Sequence, residues 1–180
     1  MIPYETKDIR TIVLLGHGAS GKTSLVESML YKAGATTRLG SVEDGTSVAD
    51  YDADAKEKKH TIDSSILHCN WKGREINIID TPGYVDFIRD TITSLVAAET
   101  ALITISATDG IQVNTRKLWD LACQKGIGKI IVVTKIDGEN IDYQALLDSI
   151  KNTLGSTCIP LVLPIGTGHD FQGVVNVFEL

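Results

Sequence analysis

The residues with the clearest chemistry lie in Gly16-His17-Gly18-Ala19-Ser20-Gly21-Lys22-Thr23. The run matches G-x-x-x-x-G-K-S/T and sits between a predicted strand and a predicted helix. Its glycines let backbone N–H groups turn inward, and the helix N-terminus adds positive potential, so it reads as a phosphate nest. His17, Gly18, Ala19, Ser20, Gly21 and Ser24 are its candidate nucleotide-binding residues. Lys22 would reach the β and γ phosphates, and the Thr23 hydroxyl would bind Mg²⁺. A chance Gly-rich turn is the plain alternative.

Asp80-Thr81-Pro82-Gly83 follows an apolar run at 76–79. An Asp at such a strand end holds Mg²⁺ in a P-loop protein, usually through water. Gly83, with no side chain, can bring its N–H close to a γ-phosphate. Thr134-Lys135-Ile136-Asp137 ends another apolar run. A carboxylate at Asp137 would accept from the guanine N1–H and 2-amino group, a pair that adenine does not offer, with the Lys135 stem over the base. An ordinary strand-end turn is the alternative for both. Thr61 closes the aperiodic stretch 34–62. It could be a second Mg²⁺ ligand that orders this loop with GTP and releases it after hydrolysis. A polar residue that merely starts a strand competes with that reading. Ser106-Ala107 precedes Asp137, so it reads as a strand end rather than as a guanine loop.

Strands are predicted over 9–15, 64–71, 74–80, 101–106 and 129–134, with a hairpin turn at Lys72-Gly73. Helices are predicted over 22–32, 86–98, 112–125 and 143–154, from apolar spacing and from Gly126 and Gly155 as stops. Two short strands, 159–163 and 174–178, flank a Gly-rich turn. The alternation implies an α/β fold, with a mostly parallel sheet, helices on both faces and one antiparallel strand pair. The long stretch 34–62 is expected to be a functional loop, with the charge run Lys56-Glu57-Lys58-Lys59-His60 as solvated surface.

The 180 residues are 43% hydrophobic and 22% charged, enough for a real core and unlike a disordered segment. A net charge of −6 argues against direct binding of bare duplex DNA by phosphate neutralisation. Aromatic residues at 6% argue against a stacking platform for single strands. Cys69, Cys123 and Cys158 lack metal-ligand spacing and read as reduced, small buried hydrophobes in a cytoplasmic protein. No membrane span is present, and the N-terminus is too polar for a signal peptide.

These motifs resemble the translational GTPases, most closely the elongation factor G branch. The resemblance also takes in Leu30-Tyr31-Lys32-Ala33-Gly34, Glu57 through Ile62, Asp80 through Phe87, Gly110-Ile111-Gln112-Val113 and Leu163-Pro164-Ile165-Gly166. It implies a P-loop NTPase fold that binds GTP/GDP with Mg²⁺ and hydrolyses GTP under ribosome stimulation. Residues 1–158 would be a GTPase domain incomplete at its C-terminal end, and 159–180 the start of an insertion within it. Tyr84 stands where the family usually has the His that orients the attacking water. Gly18 replaces an apolar gate residue, Ala19 an Asp and Thr134 an Asn, a set that resembles the type 2 paralogues. Tyr84, Lys22 and Thr61 are the candidate catalytic residues, and Thr23, Thr61 and Asp80 the candidate metal ligands. A phenol with a pKa of about 10 is a poor base, so a GTP-binding module with negligible hydrolysis is the alternative. A P-loop ATPase or kinase of another branch is a third, because the first motif is general.

Overall fold

A computed structural model describes residues 4–58 and 60–179. Met1–Pro3 of the polar N-terminus, Lys59 of the charge run and Leu180 lie outside the described residues. The β-branched run near the N-terminus forms β1 (Ile9–Gly16). The hairpin forms as predicted, from β2 (Ser65–Trp71) and β3 (Arg74–Asp80). The runs at 100–106 and 128–134 form β4 (Thr100–Ser106) and β5 (Gly128–Thr134). These five strands make one sheet in the order β2-β3-β1-β4-β5. β1 pairs in parallel with β3 and β4, β4 pairs in parallel with β5, and only β2 is antiparallel.

Period-two alternation along β1 divides the core. Val13 and Leu15 face one side with Ile79, Ala101 and Ile103. Leu14 faces the other with Ile78 and Leu102. Helix α1 (Lys22–Lys32) covers the Leu14 side through Val26 and Leu30. Two later helices, α3 (Ile88–Val96) and α4 (Val113–Lys125), cover the Val13 side through Leu95, Leu118 and Ala122. Next to α4, α5 (Tyr143–Leu154) seats Leu146, Ile150 and Leu154 against Ile105. Its N-terminus is fixed by Asp142, whose carboxylate accepts from the Ala145 N–H at 2.9 Å. Helices on both faces are what a parallel sheet of apolar strands requires.

Several boundaries differ from the sequence expectation. The stretch 34–62 contains α2 (Ala53–Lys58), too short and too polar to show a period. A 3-10 turn, Val85–Phe87, leads into α3, so the regular helix starts two residues later than predicted. The last pair is β6 (Val162–Ile165) and β7 (Gly173–Asn176), a separate antiparallel sheet. Pro160 has no N–H for an earlier start, and Val177–Glu179 winds into a 3-10 turn. The apolar run 129–134 is only partly covered, because β5 has a neighbour on one side alone among the described residues. Cys69 is buried as expected, but Cys158 is half-buried and Cys123 is exposed. Cys123 follows the inward-facing Ala122, so a rotation of about 100° along the helix turns it outward. Glu57 and Lys58 are exposed, in keeping with a solvated charge run. Among the described residues, no helix is long and apolar enough to cross a membrane.

Candidate nucleotide-binding site

Parallel pairing points the C-terminal ends of β1, β3, β4 and β5 the same way, so the loops after them gather at one edge of the sheet. The loop after β1 is the phosphate-nest motif. Gly21 and Ala19 take left-handed conformations there, with φ of 86° and 58°, as a nest of inward N–H groups requires. An alanine at such a φ costs roughly 1 kcal/mol, which the family's usual Asp can reduce by local hydrogen bonding. Ser20 is buried, and its Oγ lies 2.7 Å from Thr104 Oγ1. His17 and Gly18 are half-buried, and Ser24 is exposed on the first turn of α1.

Lys22 is only 6% exposed. Its ammonium donates to the carbonyl oxygens of His17 at 2.9 Å and Gly16 at 3.2 Å. Burial pushes its pKa down to about 8, against the pull of Asp80 and Asp50. The Thr23 hydroxyl donates to Asp80 Oδ2 at 2.7 Å and lies 3.1 Å from the Thr61 hydroxyl. The far end of the irregular loop is thus brought back to the start of α1. Asp80 is fully buried, and its Oδ1 has no hydrogen-bond partner. Burial raises its pKa to about 6, although the Thr23 hydroxyl and Lys22 hold it down.

Asp50 does not stand out in the sequence, where nothing separates it from its acidic neighbours in an aperiodic loop. It is 4% exposed, both its oxygens lack partners, and burial raises its pKa. Thr23, Thr61 and Asp80 therefore present hard oxygen donors, with an unpartnered buried carboxylate oxygen, and so fit Mg²⁺. Among the described residues, no group of three His, Cys, Asp or Glu side chains could hold a metal. A Mg²⁺ site here would complete its octahedron with phosphate oxygens and waters.

The loop after β3 is fixed at each residue. Thr81 donates to the Leu14 carbonyl at 2.5 Å, Thr91 to that of Pro82 at 3.2 Å and Asn114 to that of Gly83 at 2.9 Å. A Cβ on Gly83 would collide with Lys22 Nζ and come within 2.6 Å of the Gly18 nitrogen, so only glycine fits. Tyr84 is 41% exposed, and its ring takes the space that a side chain at Gly18 would need.

The family described as elongation factor Tu GTP binding domain matches residues 7–177. The chain belongs to that family. It is 36% identical over 172 residues to elongation factor G of Granulibacter bethesdensis, covering 96% of this chain and 25% of that protein. It is 36% identical over 169 residues to elongation factor G 2 of Streptomyces coelicolor, covering 94% of this chain and 25% of that protein. A crystal structure from Thermus thermophilus superposes with a TM-score of 0.90 at 40% identity, over 95% of this chain and 26% of that one. The chain thus spans about a quarter of the length of these relatives. It is a GTP-binding elongation factor domain of the elongation factor G-like kind, with the mixed, mostly parallel sheet of that fold.

Within this GTP-binding domain, Thr134 ties the loop after β5 to the loop after β1. Its hydroxyl sits 2.8 Å from the Ser20 carbonyl oxygen and 3.4 Å from that of Ile105. That recovers part of what an Asn amide would do. Lys135 (φ 55°) and Asp137 are exposed at the end of the same loop. Ser106-Ala107 ends β4 as expected, with the Ala107 N–H donating to the Thr134 carbonyl at 2.8 Å. The turn between β6 and β7 also leans on the loop after β5, through the Gly168 N–H to the Ile136 carbonyl at 2.9 Å. No local sequence signal announces that contact.

Glu27, on the inner face of α1, is a second residue that sequence reasoning misses. It is fully buried, and its Oε1 accepts from the Ser47 hydroxyl at 2.7 Å and from the N–H groups of Val48 at 2.6 Å and Ala49 at 3.2 Å. A Cβ on Gly40 would collide with Oε2. Glu27 thus pins the segment that carries Asp50 to the helix that carries Lys22 and Thr23. Glu27→Ala strands these donors. We expect a loss of roughly 2–4 kcal/mol in urea unfolding and faster proteolytic cleavage within 40–50. An unchanged cleavage rate would refute the pinning role.

Proposed function

We propose that the chain is the switch domain of an elongation factor G-like protein. It hydrolyses GTP to GDP with Mg²⁺, and ribosomes stimulate the reaction. The observation that carries this reading is the 3.1 Å approach of Thr61 to Thr23, beside Asp80. It joins the loop to the P-loop at the point where a metal and a third phosphate would be sensed. In this reading the amides of His17 to Gly21 and the Lys22 ammonium hold the phosphates, with Ser24 alongside. Thr23 and Thr61 ligate Mg²⁺ directly and Asp80 through water. Mg²⁺ would neutralise the charge that develops on the phosphates. Gly83 offers its N–H to the γ-phosphate, and Tyr84 stands beside the attacking water. Asp137 accepts from guanine while Lys135 lies along the base.

Two tests address the reading. Single-turnover hydrolysis should require Mg²⁺ and speed up with ribosomes; a chain that binds GTP but leaves it intact under both conditions would refute the hydrolysis. Asp137→Ala should weaken GTP binding roughly 100- to 10,000-fold, since two charge-assisted hydrogen bonds are lost, and should leave ATP binding weak. Tighter ATP than GTP binding by the native chain would point to another P-loop branch. Tyr84 favours the second reading, a GTP-held module with negligible hydrolysis. If so, Tyr84→His should hydrolyse GTP far faster than the native chain.

A further inference from the structure

Tyr84 joins Gly18 of the phosphate-nest motif to His60. A Cβ on Gly18 would come within 2.8 Å of the Tyr84 ring, so that ring depends on the glycine. The His60 imidazole meets the same ring edge-on, with centroids 4.9 Å apart and planes at 64°. His60 Nδ1 lies 2.9 Å from the Lys58 carbonyl oxygen. A carbonyl can only accept, so Nδ1 carries the proton, and in the neutral ring Nε2 is left as an acceptor. His60 immediately precedes Thr61, whose hydroxyl lies 3.1 Å from that of Thr23. Tyr84 immediately follows Gly83, whose α-carbon borders Lys22 Nζ. Both rings are thus next in sequence to residues packed on the phosphate-nest motif, His60 to Thr61 beside Thr23 and Tyr84 to Gly83 beside Lys22.

We propose that His60 is a catalytic residue of GTP hydrolysis. Its Nε2 accepts a hydrogen bond from the attacking water, and the Tyr84 ring, seated on Gly18, holds the imidazole in position. This rests on the hydrolysis reading above. The water oxygen forms a bond to the γ-phosphorus. The bond from that phosphorus to the β–γ bridging oxygen breaks, its electron pair leaves with GDP, and both of the water's protons depart on the released phosphate as H₂PO₄⁻. His60 contributes an acceptor that orients the water, which a phenol aligned by its ring need not supply.

The test is single-turnover GTP hydrolysis by the chain, with and without ribosomes, beside GDP affinity. We expect His60→Ala to slow hydrolysis roughly 10- to 100-fold, as loss of one orienting contact does, while GDP affinity stays within about twofold. His60→Gln, whose side-chain carbonyl restores an acceptor, should recover most of the rate. Adding Tyr84→Ala to His60→Ala should cost little more, because the two act as one unit. His60→Ala hydrolysing at the native rate, or His60→Gln as slow as His60→Ala, would overturn the proposal. Additive losses would overturn the part given to Tyr84. A native chain that binds GTP and never hydrolyses it marks a different failure, that of the hydrolysis reading, and is recognised without any variant.

Discussion

Lys22→Ala should lower the affinity for GDP and GTP by about two to three powers of ten in a fluorescent-nucleotide titration. Two charge-assisted hydrogen bonds to phosphate oxygens are worth roughly 1.5–3 kcal/mol each. Removal of a buried ammonium gives part of that back. The free chain already contains the reason. Lys22 is 6% exposed and makes do with two backbone carbonyls, while burial holds its pKa at about 8. The sign of the pH effect follows. Between pH 8 and 10.5 the folded chain binds fewer protons at Lys22 than the unfolded chain, so stability rises with pH across that window. The Ala variant should lack that rise. Over the same window the native chain should lose nucleotide affinity, because its ammonium is being neutralised. Unchanged affinity in Lys22→Ala would remove the phosphate nest from the site.

How far the sequence could be read depended on how local each signal was. Glycine spacing ahead of Lys22-Thr23 and an Asp at the end of an apolar strand are local patterns, and each element they named is where it was expected. The parallel pairing follows from the same alternation, because parallel strands need crossover connections, whereas the strand order does not. Thr61 had no such support. Its place beside Thr23 depends on how the 37 intervening residues fold back, which no period in 34–62 encodes. What guides that return is Glu27, a carboxylate on a helix face where spacing alone calls for an apolar residue. Its meaning emerges only with Ser47, Val48 and Ala49 against it.

Asp50 and His60 were illegible for the same reason. Asp50 is one acidic residue among several, and burial alone distinguishes it. His60 closes a charge run that reads as solvated surface. The departures Gly18 and Tyr84 were visible as separate oddities, but their contact was not. Spatial pairing turns them into one feature, since a ring cannot occupy the place of a side chain unless that side chain is missing.

Asp80→Asn should make the nucleotide-free chain more stable and its nucleotide binding worse. Burial raises the Asp80 pKa from 3.8 to about 6. Between those values the folded chain binds more protons than the unfolded one, so stability falls as pH rises through the window and stays lower above it. Two pKa units correspond to about 3 kcal/mol, already net of what the carboxylate gains from Lys22 and from the Thr23 hydroxyl. An amide of the same shape still accepts from Thr23 and avoids the buried charge. We expect a gain of about 2 kcal/mol at pH 7.5 in urea unfolding, with a flatter profile between pH 4 and 6. The same change removes the charge that would hold Mg²⁺ through water, so adding Mg²⁺ should no longer tighten GTP binding. A destabilised variant, or one with an undiminished response to Mg²⁺, would contradict this account. The two effects have one cause. A buried carboxylate with an unpartnered oxygen is unfavourable, and a bound cation with its phosphates would compensate it. Stability given up at Asp80 is therefore returned on binding, and loading with Mg²⁺ and nucleotide should stabilise the native chain more than the variant.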